Sequence, residues 1–334
     1  MVLLVVISAI PLSAQEGSER PVIDPIRIAG NEELDAFFAD ASTDGLTPGT
    51  AHVLEGITIE RSGEGDACVH IENTTRYLVI RECTISDGGP ESITTAIELV
   101  SSSNITILHC DLPGSRKAIV TFECSNIDIR GNRLRDQSYV GIHVERTGPA
   151  TVVGNDLDMC NESIIVYRGA NVSVETNTVC DNKVGIRVTA SRDTVVFDNE
   201  VKLSTDGGIK VQRSRRLVIE ANYVHHNALA GIHVSDSREI DVLANHMEAN
   251  YQGLYLFDTH ESYISNNNAT WNDVAGVRLS GSHDNRVEDN FVKSNWNYGV
   301  DLIRSDSNQI LRNRIVSHER GIRLDGSNDN VIEK

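Results

Sequence analysis

From Gly185 to Asn267 the apolar and polar positions write one pattern four times. GIRV (185–188) leads to TVV (194–196) and Asn199, GIKV (208–211) to LVI (217–219) and Asn222, GIHV (231–234) to IDV (240–242) and Asn245, and GLYL (253–256) to SYI (262–264) and Asn267. Each short apolar-x-apolar run has the period of a β-strand. Three such runs per 22 or 23 residues, each closed by a turn, predict one coil of a parallel β-helix with three faces. The expected fold is all-β, a single solenoid that grows by adding coils, so chain length is a poor guide to domain number.

The polar positions are as regular as the apolar ones. One ladder position is filled by Cys83, Cys110, Asn132, Asn155, Asn177, Asn199, Asn222, Asn245, Asn267, Asn290 and Asn313, and a second by Asn182, Asn227, Asn250, Asn272 and Asn295. Asn suits such positions because it tolerates left-handed backbone at a turn and because stacked amides can hydrogen-bond from coil to coil. Repetition in every coil marks both ladders as scaffold. Cys83 and Cys110 would then sit on neighbouring coils about 4.8 Å apart, close enough for a disulfide or for two buried thiols.

Outside the repeats the pattern changes. Residues 1–15 form an apolar run ending in small residues, read as a signal peptide or its remnant. Residues 16–51 are read as a linker and a capping helix: Asn31 opens NEELDAFFADAS as N-cap, with Leu34, Phe37 and Phe38 on one face to cover the end of the core. Residues 52–334 carry the coils, with Gly-rich SGEGD (62–66) as a turn, and the pattern stops inside a coil at Lys334, so a continuation or self-association is expected.

Charge then narrows function. With 30 Lys and Arg against 48 Asp and Glu, a net charge of −18, no general nucleic-acid or anionic-membrane binder is expected. Five N-x-S/T sequons agree with an extracellular, cell-surface or periplasmic address. The six cysteines show no CxxC spacing, which argues against a zinc knuckle.

The Gly-h-x-h and h-x-h-x-x-Asn repeats from Ala67 onward, the opening helix, VLEGITIE (53–60) and IENTTRYLVIRECTI (71–85) resemble the NosD-like right-handed parallel β-helix family, whose members are labelled periplasmic copper-binding or carbohydrate-binding and sugar-hydrolysis proteins. The resemblance covers about four-fifths of the chain and implies fold more than activity, since the matched residues are those that build coils.

Chemistry has to come from the variable positions. The x of each Gly-h-x-h points outward, giving the strip His143, Ile165, Arg187, Lys210, His233, Tyr255, Arg278, Asp301 and Arg323, with Gln212 and Phe257 in the next outward column. In so acidic a chain this strip reads as a local reversal of sign. It resembles in plan the groove of β-helix enzymes that act on acidic polysaccharides, where cations offset a uronate carboxylate so that a base can take the C5 proton. On that reading Arg187, Lys210 and Arg278 offset charge, His233 is base, Tyr255 acid, and Phe257 stacks on a sugar ring. Asp258-Thr259-His260-Glu261 is similar to the Asp-Pro-His-Asp signature of mannuronan C5-epimerases, making His260 a second candidate. A non-catalytic surface module and a copper-delivery accessory protein are the alternatives. For copper, His225, His226 and His246 are the candidate ligands; for calcium, Asp301 with Asp325 is a thin set.

Overall fold

A computed structural model of the chain describes residues 20–60, 67–86 and 94–334. The expected signal peptide and the SGEGD turn lie outside the described residues. Within them the strands form three parallel sheets of 13, 13 and 12 strands, each sheet taking at most one strand from a coil. The Gly-h-x-h strands, such as Val184–Thr189, Ala230–Ser235 and Gln252–Phe257, make the first sheet. The second is made of strands such as Arg215–Glu220, and the third of Asn-x-h strands such as Tyr223–His225. One strand face turns into a continuous core of Ile, Val and Leu. The other faces solvent, as period-2 patterning requires.

The repeated glycine is a packing requirement. A Cβ on Gly208 would come within 2.5 Å of Val224 Cγ1 and 2.7 Å of the Gly231 carbonyl oxygen, both in the narrow corner between third and first sheets. Backbone cannot yield as a flexible side chain can, so Gly stays in coil after coil.

The first ladder is a buried chain of amides. In Asn199, Asn222 and Asn245 each Nδ2 donates to the Oδ1 of the next Asn at 2.9–3.0 Å, and each main-chain N–H donates to that same oxygen at 2.9–3.0 Å. The second ladder repeats this from Asn227 through Asn250 and Asn272 to Asn295. The left-handed residue, however, is the one before the first-ladder Asn: Asp198, Ala221, Ala244, Asn266 and Asp289 have φ of 52–56°. That turn aims the following Asn inward, where its amide replaces backbone partners the bend cannot supply.

A third ladder escaped the sequence reading. Ser191, Ser214 and Ser237, and Thr259, Ser282, Ser305 and Ser327, line the corner between first and second sheets, and a main-chain N–H donates at 3.0–3.1 Å to the hydroxyl one coil on. Its 22–23-residue spacing is visible in the chain.

Two expectations need correction. The capping helix is shorter, Asn31–Phe37, and its N-cap is Gly30. The Asn31 Oδ1 instead accepts from Thr74 Oγ1 and the Thr75 N–H, both at 2.8 Å, pinning the helix to the first coils. Leu34 is fully buried and Phe38 packs on the core, stacking on His52, but Phe37 points outward. Cys83 and Cys110 do lie one coil apart, yet both are free thiols: Cys83 Sγ turns to the carbonyls of Leu54 and Arg81, and Cys110 Sγ to those of Ile80 and Leu108.

Candidate functional site

The strip is aligned as the spacing predicts. Strand register places His143 beside Ile165, then Arg187, Lys210, His233, Tyr255, Arg278, Asp301 and Arg323 in unbroken succession. At its centre the His233 and Tyr255 rings stack, with centroids 4.9 Å apart and planes 9° from parallel. Arg278 lies 5.8 Å from the Tyr255 centroid, and Phe257, 44% exposed, leans towards Tyr255 at 6.3 Å. Burial first, and then the Lys210 charge, depress the His233 pKa, so its imidazole is neutral at pH 7. Its Nε2 is shielded without a hydrogen-bond partner.

The charge of the strip differs from the expectation. Arg187 pairs with Glu162 at 2.8 Å, Lys210 with Asp206 at 2.9 Å, and Arg278 faces Asp301 at 3.5 Å. Asp301 is buried under Arg323, which grips it at 2.7 and 3.0 Å. Each cation assigned to offset a substrate carboxylate therefore already faces an acid, Glu162 from a strand end, Asp206 from a turn and Asp301, shared with Arg323, from the strip itself. Buried under Arg323 and Arg278, Asp301 is no open oxygen ligand, and the thin calcium set with Asp325 falls away.

Asp258-Thr259-His260-Glu261 occupies the corner beside Phe257, as expected. Thr259 belongs to the hydroxyl ladder, and its N–H donates to Ser282 Oγ at 3.1 Å. A proline there could not make that bond. His260 is tied at both nitrogens: Nδ1 accepts from the His283 N–H at 3.1 Å and Nε2 lies 3.4 Å from Asp258 Oδ1. With His283 stacked on its ring at 5.3 Å, it is held rather than free to move a proton. Gln212 Nε2 reaches Asp236 at 3.4 Å across the same corner.

The copper candidates do not converge. His225 Nδ1 and His226 Nδ1 face each other at 2.8 Å, but Tyr223 stacks between His225 and His246, and His246 Nε2 lies 3.7 Å from Glu248. The one grouping of three metal-type donors among the described residues is Asp158, Cys180 and Asp181, and it contains no imidazole. Two nitrogens alone do not fit a copper centre.

Further candidate residues stand at the edges of the first sheet. Trp271 and Trp296, the two tryptophans of the chain, are 61% and 76% exposed, and Tyr251 is exposed beside them at the turn from the third sheet. Their signal was legible: both indoles flank a second-ladder Asn at positions where the repeat asks for nothing apolar. The opposite edge carries Arg192, Arg215 and Arg238 on successive coils, with Arg213 two residues before Arg215 in the same coil.

Comparisons with known proteins agree with this geometry at the level of fold. The model of the periplasmic copper-binding protein family NosD matches residues 71–247, and that of the right-handed β-helix region matches 184–334. No curated protein sequence matches significantly. Among solved structures, the A-module of the Azotobacter vinelandii mannuronan C-5 epimerase AlgE6 is similar at TM-score 0.70 and 17% identity, covering 91% of this chain and 94% of its own. The periplasmic alginate epimerase AlgG gives 0.57 and 15%, covering 93% and 84%. A hyperthermoactive exopolygalacturonase from Thermotoga maritima gives 0.52 and 12%, covering 95% and 93%. At such identities the likeness is one of architecture.

Proposed function

The chain belongs to the NosD family of right-handed parallel β-helix proteins, and from that premise we propose that it is an exported protein that binds an acidic polysaccharide on the face of its first sheet. The observation that carries this reading is the His233–Tyr255 stack, set between Lys210 and Arg278 on consecutive coils with exposed Phe257 alongside. Exposed Phe257 gives a sugar an apolar, polarizable surface beside the stacked pair, and neighbouring cations orient its carboxylate. The reaction class the pair would serve is lyase or C5-epimerase chemistry: neutral His233 takes the C5 proton, and the Tyr255 hydroxyl delivers one to the leaving oxygen or to the opposite face. For Lys210 or Arg278 to neutralise the carboxylate, it must turn from Asp206 or Asp301 toward the substrate. Export is supported by the apolar run at 1–15, by the sequons and by the periplasmic description of the family. The polysaccharide activities named for the structural neighbours point the same way.

The test is incubation with polymannuronate, polyguluronate and polygalacturonate, following ultraviolet absorbance of an unsaturated product and the epimer ratio, beside binding by a glycan array. Turnover lost in His233→Ala and Tyr255→Phe with unchanged melting supports the catalytic form. Binding without turnover keeps the polysaccharide reading and removes the reaction. No binding to any acidic polymer overturns both and leaves a surface module. A copper-delivery role has the family description behind it, but only the His225–His226 pair in this chain; copper titration followed by dialysis and metal analysis decides it.

A further inference from the structure

The cations of the strip are paired, but three at the neighbouring corner are not. Parallel register stacks Arg192 beside Arg215, Arg215 beside Arg238, and Arg238 beside His260, one coil apart, which is about 4.8 Å. Like charges directly opposite on adjacent strands destabilise a sheet. Arg238 is relieved by Glu261 at 3.0 Å, and neighbouring Arg216 by a two-pronged grip on Asp193 at 2.7 and 3.0 Å. Arg192, Arg213 and Arg215 are exposed and have no acid within ion-pair distance among the described residues. In a chain of net charge −18, where acids outnumber bases 48 to 30, three unpaired arginines on one corner are an anomaly of placement rather than of composition.

The corner also forms a shallow, open depression. Arg213, Arg215, Arg238, Asp236, Asp258 and His260 line an open hollow of about 430 Å³. We infer that this hollow is an anion-reading subsite for an acidic polysaccharide, in which Arg213 and Arg215 take a carboxylate or sulfate of the polymer and Asp236 and Asp258 accept from its hydroxyls. The mixed lining selects the ligand class. A guanidinium fork matches a planar carboxylate or a sulfate, while carboxylates in the same hollow need a ligand rich in O–H donors. A sugar acid has both, whereas the nucleic-acid backbone offers acceptors that Asp236 and Asp258 would repel. One coil per step is also about the length of one pyranose ring in an extended 1,4-linked chain, so a polymer running parallel to the solenoid axis meets Arg192, Arg215 and Arg238 at successive residues. The inference deepens the polysaccharide reading and rests on it, but it assigns the charge recognition to different residues.

The experiment measures binding of the whole chain to polygalacturonate, dextran sulfate, neutral dextran and duplex DNA across a salt series. The variants are Arg213→Gln/Arg215→Gln, Arg216→Gln and Lys210→Met. The double variant is expected to bind acidic polymer roughly tenfold to hundredfold more weakly with a shallower salt slope. Arg216→Gln, which alters charge nearby but at a paired residue, changes binding less than about threefold. Since Arg213 and Arg215 side chains hold nothing in the fold, melting should not fall. The ratio between polygalacturonate and dextran sulfate tells a carboxylate site from a sulfate site. Unchanged affinity in the double variant with loss in Lys210→Met overturns this inference and leaves the strip reading standing. An equal loss in Arg216→Gln, or DNA binding as tight as the polysaccharide's, overturns it as well, by showing a response to charge alone. If no acidic polymer binds the wild-type chain, both readings fall.

Discussion

Arg323 grips Asp301 through two hydrogen bonds, Nε to Oδ1 at 2.7 Å and a terminal nitrogen to Oδ2 at 3.0 Å, and the carboxylate is fully buried beneath it. Asp301 thus joins Arg323 to Arg278 across two coil boundaries on the face of the first sheet. Removing the acid leaves two guanidiniums facing each other; because both remain about a quarter exposed, the cost is below that of a fully buried broken pair. Asp301→Ala is expected to lower stability by about 2–3 kcal/mol, read as a fall in denaturation midpoint. A change below about 0.5 kcal/mol would mean that water screens the trio.

The amide ladder predicts a cost that depends on position. Asn222 accepts two hydrogen bonds from Asn199 and donates to Val196, Glu220 and Asn245. Asn222→Ala orphans several buried groups at once and is expected to cost about 2–3 kcal/mol. Asn313→Ala, at a partly exposed coil, should cost less than half of that. Urea denaturation of the two variants in parallel checks the ranking, and equal losses would contradict it.

Acid should weaken the fold in two stages. His143, His225 and His233 have pKa values depressed mainly by burial, so the unfolded chain binds protons before the folded one does as pH falls below about 6.5. Stability is therefore full above that pH and declines below it. A second decline sets in below about 4.5, where the unfolded chain protonates Glu200 and Glu288 while Lys202 and Arg286 still hold them ionised in the folded chain. Melting temperature recorded from pH 8 to 3 should show both steps, and His233→Gln should reduce the first.

Thiol accessibility checks the cysteines. Five are buried and Cys180 is partly exposed; burial pushes the Cys160 thiol up to about 12, and the contact with Cys83, then burial, raises that of Cys110. One equivalent should react with a water-soluble thiol reagent in the native protein and six in denaturant. Four in denaturant would mean that Cys83 and Cys110 are joined.

The sequence by itself determined the coils. Gly208, the h-x-h triplets and the Asn ladders declare a three-faced solenoid because each answers a local demand that recurs at every turn: a corner too narrow for a Cβ, a strand with one dry face, a bend with orphaned backbone groups. Strict repetition also carried the strip from Arg187 to Arg278 into register, since position within a coil fixes which face a residue meets. Only the tertiary structure decided what those residues face. Glu162 and Asp206 reach Arg187 and Lys210 from strand edges and turns of variable length, while Tyr223 separates His225 from His246 through side-chain stacking. It also revealed that, off the strip, Arg192, Arg213 and Arg215 carry positive charge with no acid within ion-pair distance among the described residues. Repeat period reports backbone geometry, which every coil shares; charge pairing depends on side-chain reach between coils, which no two coils share.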